Sequence, residues 1–530
     1  MLPRFRSPWP VVVLAFAVPV AFACFTNHAW EDYFITLRSS RHLVEGHGLV
    51  FNPGERVHTF TSPLGVLVPA LCTWLAGVAH EQLALWLFRL LDAALLAVAA
   101  FFVWRRADTL RLGAIGRFTL FGLLLADAKL TDFAINGMET AILVFFLLLL
   151  WSELESPAAP RASRLALACA GLMWTRPDAF ILAAAVIVPH LVFRQRADDT
   201  AGIPWRTLLR GLALGGALYL PWFAWAWWYY GSPIPHTIVA KFAFAPPVHL
   251  LDLLLLPWRT LLGRSLLVHL FLPTYYIFGG WPALLRIFSH ALTIVAAFAW
   301  LVPTLPPTAR RASLAVFLGM FYLCSIFLFP WYVPPWTALA SIAIAFTLDH
   351  ACRRATASAH RLFASLLRIA ATLAVVTQAA VLCASAWQMR VQQQLIENSG
   401  RRAIGEWLRA AAAPADTVFL EPLGYIGYYS RLKTYDFPGL SSPEVTAAIN
   451  AGARRYADII ARLRPTWLVL RPAETTTPDF AQRPILRDYD FVRAWNVLPQ
   501  LDAIRFLPGR GWFEFDSQYL VYRRKPAPPH

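Results

Sequence analysis

The chain has 530 residues, of which 58% are hydrophobic and only 15% charged, with a mean hydropathy of +0.51. That balance excludes an ordinary soluble enzyme. The 47 Lys and Arg exceed the 31 Asp and Glu by 16, yet they sit in short clusters between apolar runs, so they read as a topology signal and exclude a nucleic-acid reader.

Trp9 to Phe25 forms the first apolar run and is followed by Thr26-Asn27-His28, which offers no small-residue cleavage site, so an uncleaved first helix is expected. Further membrane-length candidates cover 65–104, 115–131, 134–151, 165–176, 179–193, 207–230, 283–305, 312–330, 335–350 and 366–387, with 265–280 dipping in without crossing. The turns carrying Arg4 and Arg6, Arg105 to Arg117, Arg161 and Arg164, Arg194 to Arg206, Arg310 and Arg311, and Arg353 to Arg368 fall on one side, expected to be cytoplasmic. Residues 26–64, the turns near 131–139 and 175–178, the loop 231–265, the Pro330 to Pro335 corner and everything after Gln388 fall on the other. This alternation requires an odd number of crossings within 65–104, so either a helix near Val66 to Ala79 lies along the membrane or a third crossing is hidden there. The expected architecture is mainly α, polytopic, with about 11 to 13 transmembrane helices in residues 1–387.

After Trp387 charged residues return and no further membrane-length run occurs, which predicts an extracytoplasmic α/β domain over 388–530. An amphipathic helix opens it, and Thr417 to Glu421 and Trp467 to Arg471 read as strands. The six cysteines lie in or beside apolar stretches without metal spacing, so no disulfide framework or structural metal is implied.

The chemistry gathers on the outer side. Glu31 and Asp32 follow the first helix in the long polar loop 26–64, where a carboxylate beside a membrane and several arginines suits a general base, with Asp32 ahead of Glu31. Capping or solvation is the plain alternative. Glu139, after Asn136-Gly137-Met138, reads as an acceptor-binding or second acidic group. Arg176 and Asp178 flank the helix-breaking Pro177 and form either an internal ion pair or a phosphate or sugar contact. Trp228-Tyr229-Tyr230 suits an interfacial aromatic belt, which leaves His236 and Lys241 unexplained; the lysine snorkels or meets a lipid-linked phosphate. No P-loop, dinucleotide fingerprint, HExxH or GxSxG is present. The outer histidines 28, 42, 47 and 58 lack metal-ligand spacing and are expected to be polar loop residues; a carboxylate-held divalent cation stays open.

Glu31-Asp32-Tyr33-Phe34-Ile35-Thr36, Gly46 to Val57 and Thr61-Ser62-Pro63-Leu64 together resemble the first-loop signature of the actinobacterial terminal β-(1→2) arabinofuranosyltransferases and their proteobacterial relatives. Asn136 to Thr140, Arg176-Pro177-Asp178, Tyr230 to Pro235 with Thr237 and Lys241, Pro330-Trp331-Tyr332 with Pro334, and Gly424 to Tyr429 with Asp436, Gly439 and Leu440 follow in similar order. The resemblance implies a GT-C membrane glycosyltransferase of the bacterial cytoplasmic membrane. It implies a site at the outer leaflet, a polyprenyl-phosphate sugar as donor, and a glycan, lipid glycan or protein as acceptor. The first-loop acidic residue, the implied base, carries over to Asp32, with Glu31 where the family often has a second Asp. Arg41, Arg176 and Lys241 are then the expected phosphate holders, and Glu139, Asp178, His236 and Tyr230 the expected substrate contacts. His236 stands where Asn is common, and His58-Thr59-Phe60 replaces a usual Glu-Gly-Tyr, which leaves open a hexose or aminoarabinose donor. A transporter of lipid-linked sugars would instead show polar residues at mid-membrane and internal repeats, neither of which is evident.

Overall fold

The computed structural model describes residues 7–156, 160–193, 204–244, 248–264, 266–325 and 329–526; Arg4, Arg6, Arg194 and Arg196 lie outside them. The architecture is mainly helical, with one small sheet at the C-terminal end. In chain order the first helices are α1 (Trp9–Thr26), α2 (Glu31–Val44), α3 (Pro63–Ala76), α4 (Glu81–Thr109), α5 (Ala114–Ala126), α6 (Ala128–Ile135) and α7 (Thr140–Leu154). They continue with α8 (Ala162–Thr175), α9 (Phe180–Val192), α10 (Trp205–Tyr230), α11 (His236–Phe244), α12 (Leu250–Leu254) and α13 (Leu256–Leu261). After these come α14 (Leu284–Phe298), α15 (Pro307–Ser325), α16 (Pro334–Ala357) and α17 (Arg361–Val391).

Among the described residues four helices are long and apolar enough to cross a bilayer: Trp9–Thr26, Glu81–Thr109, Leu284–Leu301 and Arg361–Ala411. The α6–α7 pair, bent by 118°, makes a fifth if it is one span. Several other expected crossings are shorter: α5 has 13 residues and α8 has 14. At ~1.5 Å per residue such helices run only about 20 Å, short of a ~30 Å hydrocarbon core. The ambiguous 65–104 segment resolves into α3 and α4, and only α4 is long enough to cross. Within the segment expected to dip in without crossing, short 3₁₀ turns form at Leu266–Phe271 and Tyr276–Phe278.

The loop 26–64 opens with a helix of its own. In α2 the side chains of Tyr33, Phe34, Leu37, Arg38, Ser39 and Ser40 are buried, which explains why a segment with no membrane-length apolar run is nevertheless helical. Its starting point is set by buried Arg89 of α4, which donates to the carbonyls of Ile135 (2.8 Å) and His28 (2.6 Å) and to Asn27 Oδ1 (2.8 Å). One guanidinium thus satisfies acceptors where α1 and α6 end, groups that no helix can satisfy internally.

At Val391 the backbone does not break where the composition changes. Helix α17 runs through wider π-type turns over Gln392–Arg402 into α18 (Ala403–Ala411), carrying Glu397 and Arg401 into the tail domain. That domain continues with β1 (Thr417–Leu420), α19 (Leu423–Ser430), β2 (Lys433–Asp436), α20 (Pro443–Asn450), α21 (Tyr456–Leu463), β3 (Trp467–Leu470), β4 (Tyr489–Asn496) and β5 (Gln518–Arg524). The sheet order is β2-β1-β3-β5-β4, with β1 parallel to β2 and β3 and the β5 pairings antiparallel. The expected strands at 417–421 and 467–471 are β1 and β3, whose side chains are almost all buried. Strands β2, β4 and β5 lack that signature: β2 includes Lys433 and Asp436, and most of β4 is exposed.

The tail domain grips α2. Tyr425, Tyr428 and Tyr429 of α19 surround Phe34 at ring-centroid distances of 4.2, 5.2 and 5.6 Å. Arg38 donates to the carbonyls of Gly427 (2.7 Å) and Leu432 (3.0 Å), and Gln393 accepts the Ala29 N–H at 2.9 Å.

Candidate active site

Helix α2 begins at Glu31, with Trp30 in extended conformation and its N–H bonded to Asn136 O at 2.8 Å. The two acidic residues therefore occupy the first turn, where the helix dipole favours negative charge. Adjacent helix positions point about 100° apart, and the two carboxylates meet opposite surroundings.

Glu31 turns to the tail domain. Its Oε2 lies 2.8 Å from Arg401 Nη1, and its Oε1 accepts the Gly424 N–H at 3.1 Å. Arg401 also holds Glu397 (2.9 Å) and Asp516 (2.7 Å). Asp516 in turn meets Arg471 (2.7 Å), which pairs with Glu421 and Glu474, each at 2.7 Å. Burial and the carboxylates of Glu397, Glu421 and Asp516 push Glu31 upward, and Arg401 pulls against them. Through these contacts the Glu31 carboxylate ties α2 to the tail domain. The sequence shows Glu397 and Arg401 four apart, but not that both are buried or that Glu31 joins them.

Asp32 has no hydrogen-bond or ion-pair partner among the described residues. Burial pushes its carboxyl up to about 6; the charges of Lys241 and Arg401 lower it and those of Glu139 and Glu421 raise it. Lys241, on α11, likewise has no ion-pair partner among the described residues; its Nζ stands 5.0 Å from the centroid of the Phe329 ring, which lies flat on Trp331 at 4.4 Å. Trp331 meets Trp30 edge-on at 5.8 Å, and the aromatic wall thus reaches the residue that precedes α2.

Glu139 stands at the start of α7, after a turn in which Gly137 has φ +97 and the Tyr33 ring occupies the space a Cβ would need. Both conditions require glycine there. Glu139 Oε1 is 3.4 Å from Arg176 Nη1, and Arg176 Nε is 3.1 Å from Asp178 Oδ1. Tyr322 OH donates to Asp178, and the Arg176 guanidinium lies 4.4 Å from the Tyr332 ring centroid. As Pro177 leads one to expect, α8 stops at Thr175 and Arg176 is extended. Arg176 and Asp178 form the internal ion pair, with Glu139 as a third member.

The remaining site expectations separate from this group. Tyr230 stacks on His58 at 4.5 Å and donates to Leu49 O at 2.6 Å. His236 donates its N–H to His58 O (2.8 Å), and its Nε2 lies 3.2 Å from Thr446 Oγ1 of the tail. Burial pushes His58 down to about 3, so the ring packs as a neutral group. Tyr230 and His236 thus latch the loop after α2 to α10, α11 and the tail domain. Arg41 bonds Glu45 at 2.9 Å; it sits nine residues beyond Asp32, roughly 13 Å along α2 at ~1.5 Å per residue.

The chain shares its fold with the crystal structure of ArnT from Cupriavidus metallidurans bound to undecaprenyl phosphate, aligning over 98% of its length and 98% of the other (TM-score 0.52, 14% identity). It also aligns with the Archaeoglobus fulgidus oligosaccharyltransferase in complex with Zn and sulfate (TM-score 0.53, 12% identity, 92% of this chain and 72% of that one).

In sequence, it is 30% identical over 240 residues to the terminal β-(1→2)-arabinofuranosyltransferase of Corynebacterium glutamicum, covering 40% of this chain and 33% of that protein. The enzyme of the same name from Mycobacterium tuberculosis is 28% identical over 230 residues, covering 40% and 34%. The chain thus spans about a third of the length of these curated relatives. Residues 387–522 match a family described as a domain of unknown function (DUF8728).

Proposed function

We propose that the protein is a cytoplasmic-membrane glycosyltransferase that moves a pentose such as arabinofuranose from a polyprenyl phosphate to an extracytoplasmic glycan, lipid glycan or protein. The observation that carries this reading is Asp32: a carboxylate without a hydrogen-bond or ion-pair partner among the described residues, raised by burial and acted on by the charge of Lys241. The arabinofuranosyltransferase similarity and the undecaprenyl phosphate bound to ArnT support the donor class. The arginine-rich turns support an orientation with the site and tail domain on the periplasmic side.

In this mechanism ionised Asp32 takes the proton of an acceptor hydroxyl. The oxygen attacks the anomeric carbon opposite the phosphate, the carbon–oxygen bond to phosphate breaks, and the configuration inverts; one base suffices. Polyprenyl phosphate leaves with the electron pair, and Lys241 takes up the added charge on its oxygen. Arg176, held between Glu139 and Asp178, supplies a second cation, and Glu139 and Asp178 orient acceptor hydroxyls. Glu31 acts through Arg401 as a positioning residue.

Purified enzyme given defined polyprenyl-phosphate arabinofuranose tests this by mass spectrometry of the product. Asp32→Asn is expected to slow transfer at least about 100-fold while undecaprenyl phosphate binds as in wild type; undiminished transfer would remove Asp32 as the base. His58 and His236 depart from the arabinan pattern and are joined by a main-chain hydrogen bond (2.8 Å), which motivates a second reading with a hexose or aminoarabinose donor. Parallel reactions with those donors separate the two.

A further inference from the structure

We propose that the C-terminal turn of α2 holds a divalent transition-metal site made by His42, Glu45 and His47, with zinc as its natural class of occupant. One ligand atom from each of the three side chains lies within 4.8 Å of the others. On an uninterrupted helix residues 42 and 47 would point about 140° apart, which is why their spacing carries no metal signature in the sequence. The helix ends between them. The His47 N–H bonds His42 O at 2.9 Å and the Gly46 N–H bonds Leu43 O at 3.2 Å, the paired closure that reverses the chain after a helix. Gly46 makes it possible with φ +84. The reversal brings the His47 ring back to His42, with centroids 5.7 Å apart and the planes at 82°.

His42 Nδ1 lies 2.9 Å from Val50 O, so it carries the hydrogen and Nε2 keeps its lone pair, the tautomer that a carbonyl behind a metal-bound imidazole selects. Glu45 gives Oε1 to Arg41 and leaves Oε2 3.8 Å from His47 Nδ1, beyond hydrogen-bond reach and open to a bridging cation. Two imidazoles and one carboxylate suit zinc, with the fourth position left to water, and two nitrogen ligands disfavour magnesium and calcium. Glu45 and His47 are exposed, so the ion reaches the site from solvent.

The site is distinct from the reacting centre, since His42 lies ten residues past Asp32, about 15 Å along the helix. It sits where the loop toward the tail domain departs. Asn52 of that loop bonds Arg38 (3.3 Å) and Glu55 (3.0 Å), and Glu55 meets Lys433 of β2 (2.5 Å). A bound ion would clamp the start of this loop to the helix that carries Asp32.

The test uses the full chain without an affinity tag, purified in detergent, stripped with chelator and titrated calorimetrically with zinc chloride. We expect one saturable equivalent in the wild type, weakened at least about tenfold in His47→Ala and in Glu45→Gln. Metal-free variants should unfold at the wild-type temperature, since both changes leave the backbone bonds of the turn in place, and only the wild type should gain thermal stability on adding zinc. Absence of a saturable equivalent in the wild type, or wild-type affinity in either variant, overturns the site.

Discussion

The junction with the tail domain and the surroundings of Asp32 are built from the same residue types and treat them in opposite ways. At the junction Arg401 and Arg471 hold Glu31, Glu397, Glu421, Glu474 and Asp516 in close ion pairs, with Glu397 and Asp516 fully buried. A few ångströms along the same helix turn, Asp32 has no such partner among the described residues and sits near 6. Burial raises both acids, so what separates them is partners: Glu31 gives its oxygens to Arg401 and the Gly424 N–H, whereas a carboxylate that must accept a proton from a substrate keeps its lone pairs open. One turn of α2 serves both ends because its neighbouring side chains diverge.

The largest effect should come from breaking the junction. Arg401→Met leaves Glu31, Glu397 and Asp516 without their shared cation, and an uncompensated buried charge costs about 3–5 kcal/mol. Thermal unfolding of the detergent-purified protein should show the loss, with transfer falling because α2 loses its anchor. If stability held and transfer alone fell, the junction would be part of the chemistry and the contrast would fail.

Removing Lys241 probes the other side. Lys241→Ala should raise the donor KM roughly 10- to 100-fold, the range for a lost charge-assisted contact to phosphate. It should also move the acid limb of kcat/KM. Asp32 works ionised, so activity should fall about tenfold per pH unit below about 6; Lys241 lowers that value, so its removal should shift the limb upward. A limb that stays in place would separate the two residues.

The smallest effect is expected at Arg41. Its surface pair with Glu45 is of a kind worth under about 1 kcal/mol, so Arg41→Ala should change the donor KM by less than about twofold. A change as large as that of Lys241→Ala would restore Arg41 to the phosphate site.

Much of this was legible in the sequence because membrane solvation leaves a coarse and strong trace. Apolar run lengths, arginine-rich turns and the abrupt return of charge after Trp387 mark the membrane part and the tail, and Pro177 marks where α8 stops. Asp32 stood out because a carboxylate beside a bilayer is costly and needs a reason. Helix α2 did not, since its apolar face is covered by the tyrosines of α19, nearly 400 residues away in the chain.

The sequence by itself marked the apolar, helical class of chain, the acidic pair after the first helix and a short set of cations, because these follow from composition and local spacing. Only the tertiary structure decided which acid is free and which is tied. It also separated Lys241, whose charge acts on Asp32, from Arg41, which pairs with Glu45, and it brought His42, Glu45 and His47 together around a reversed helix end. Those outcomes depend on where side chains point after distant segments pack, and direction in space is not recorded in spacing along the chain.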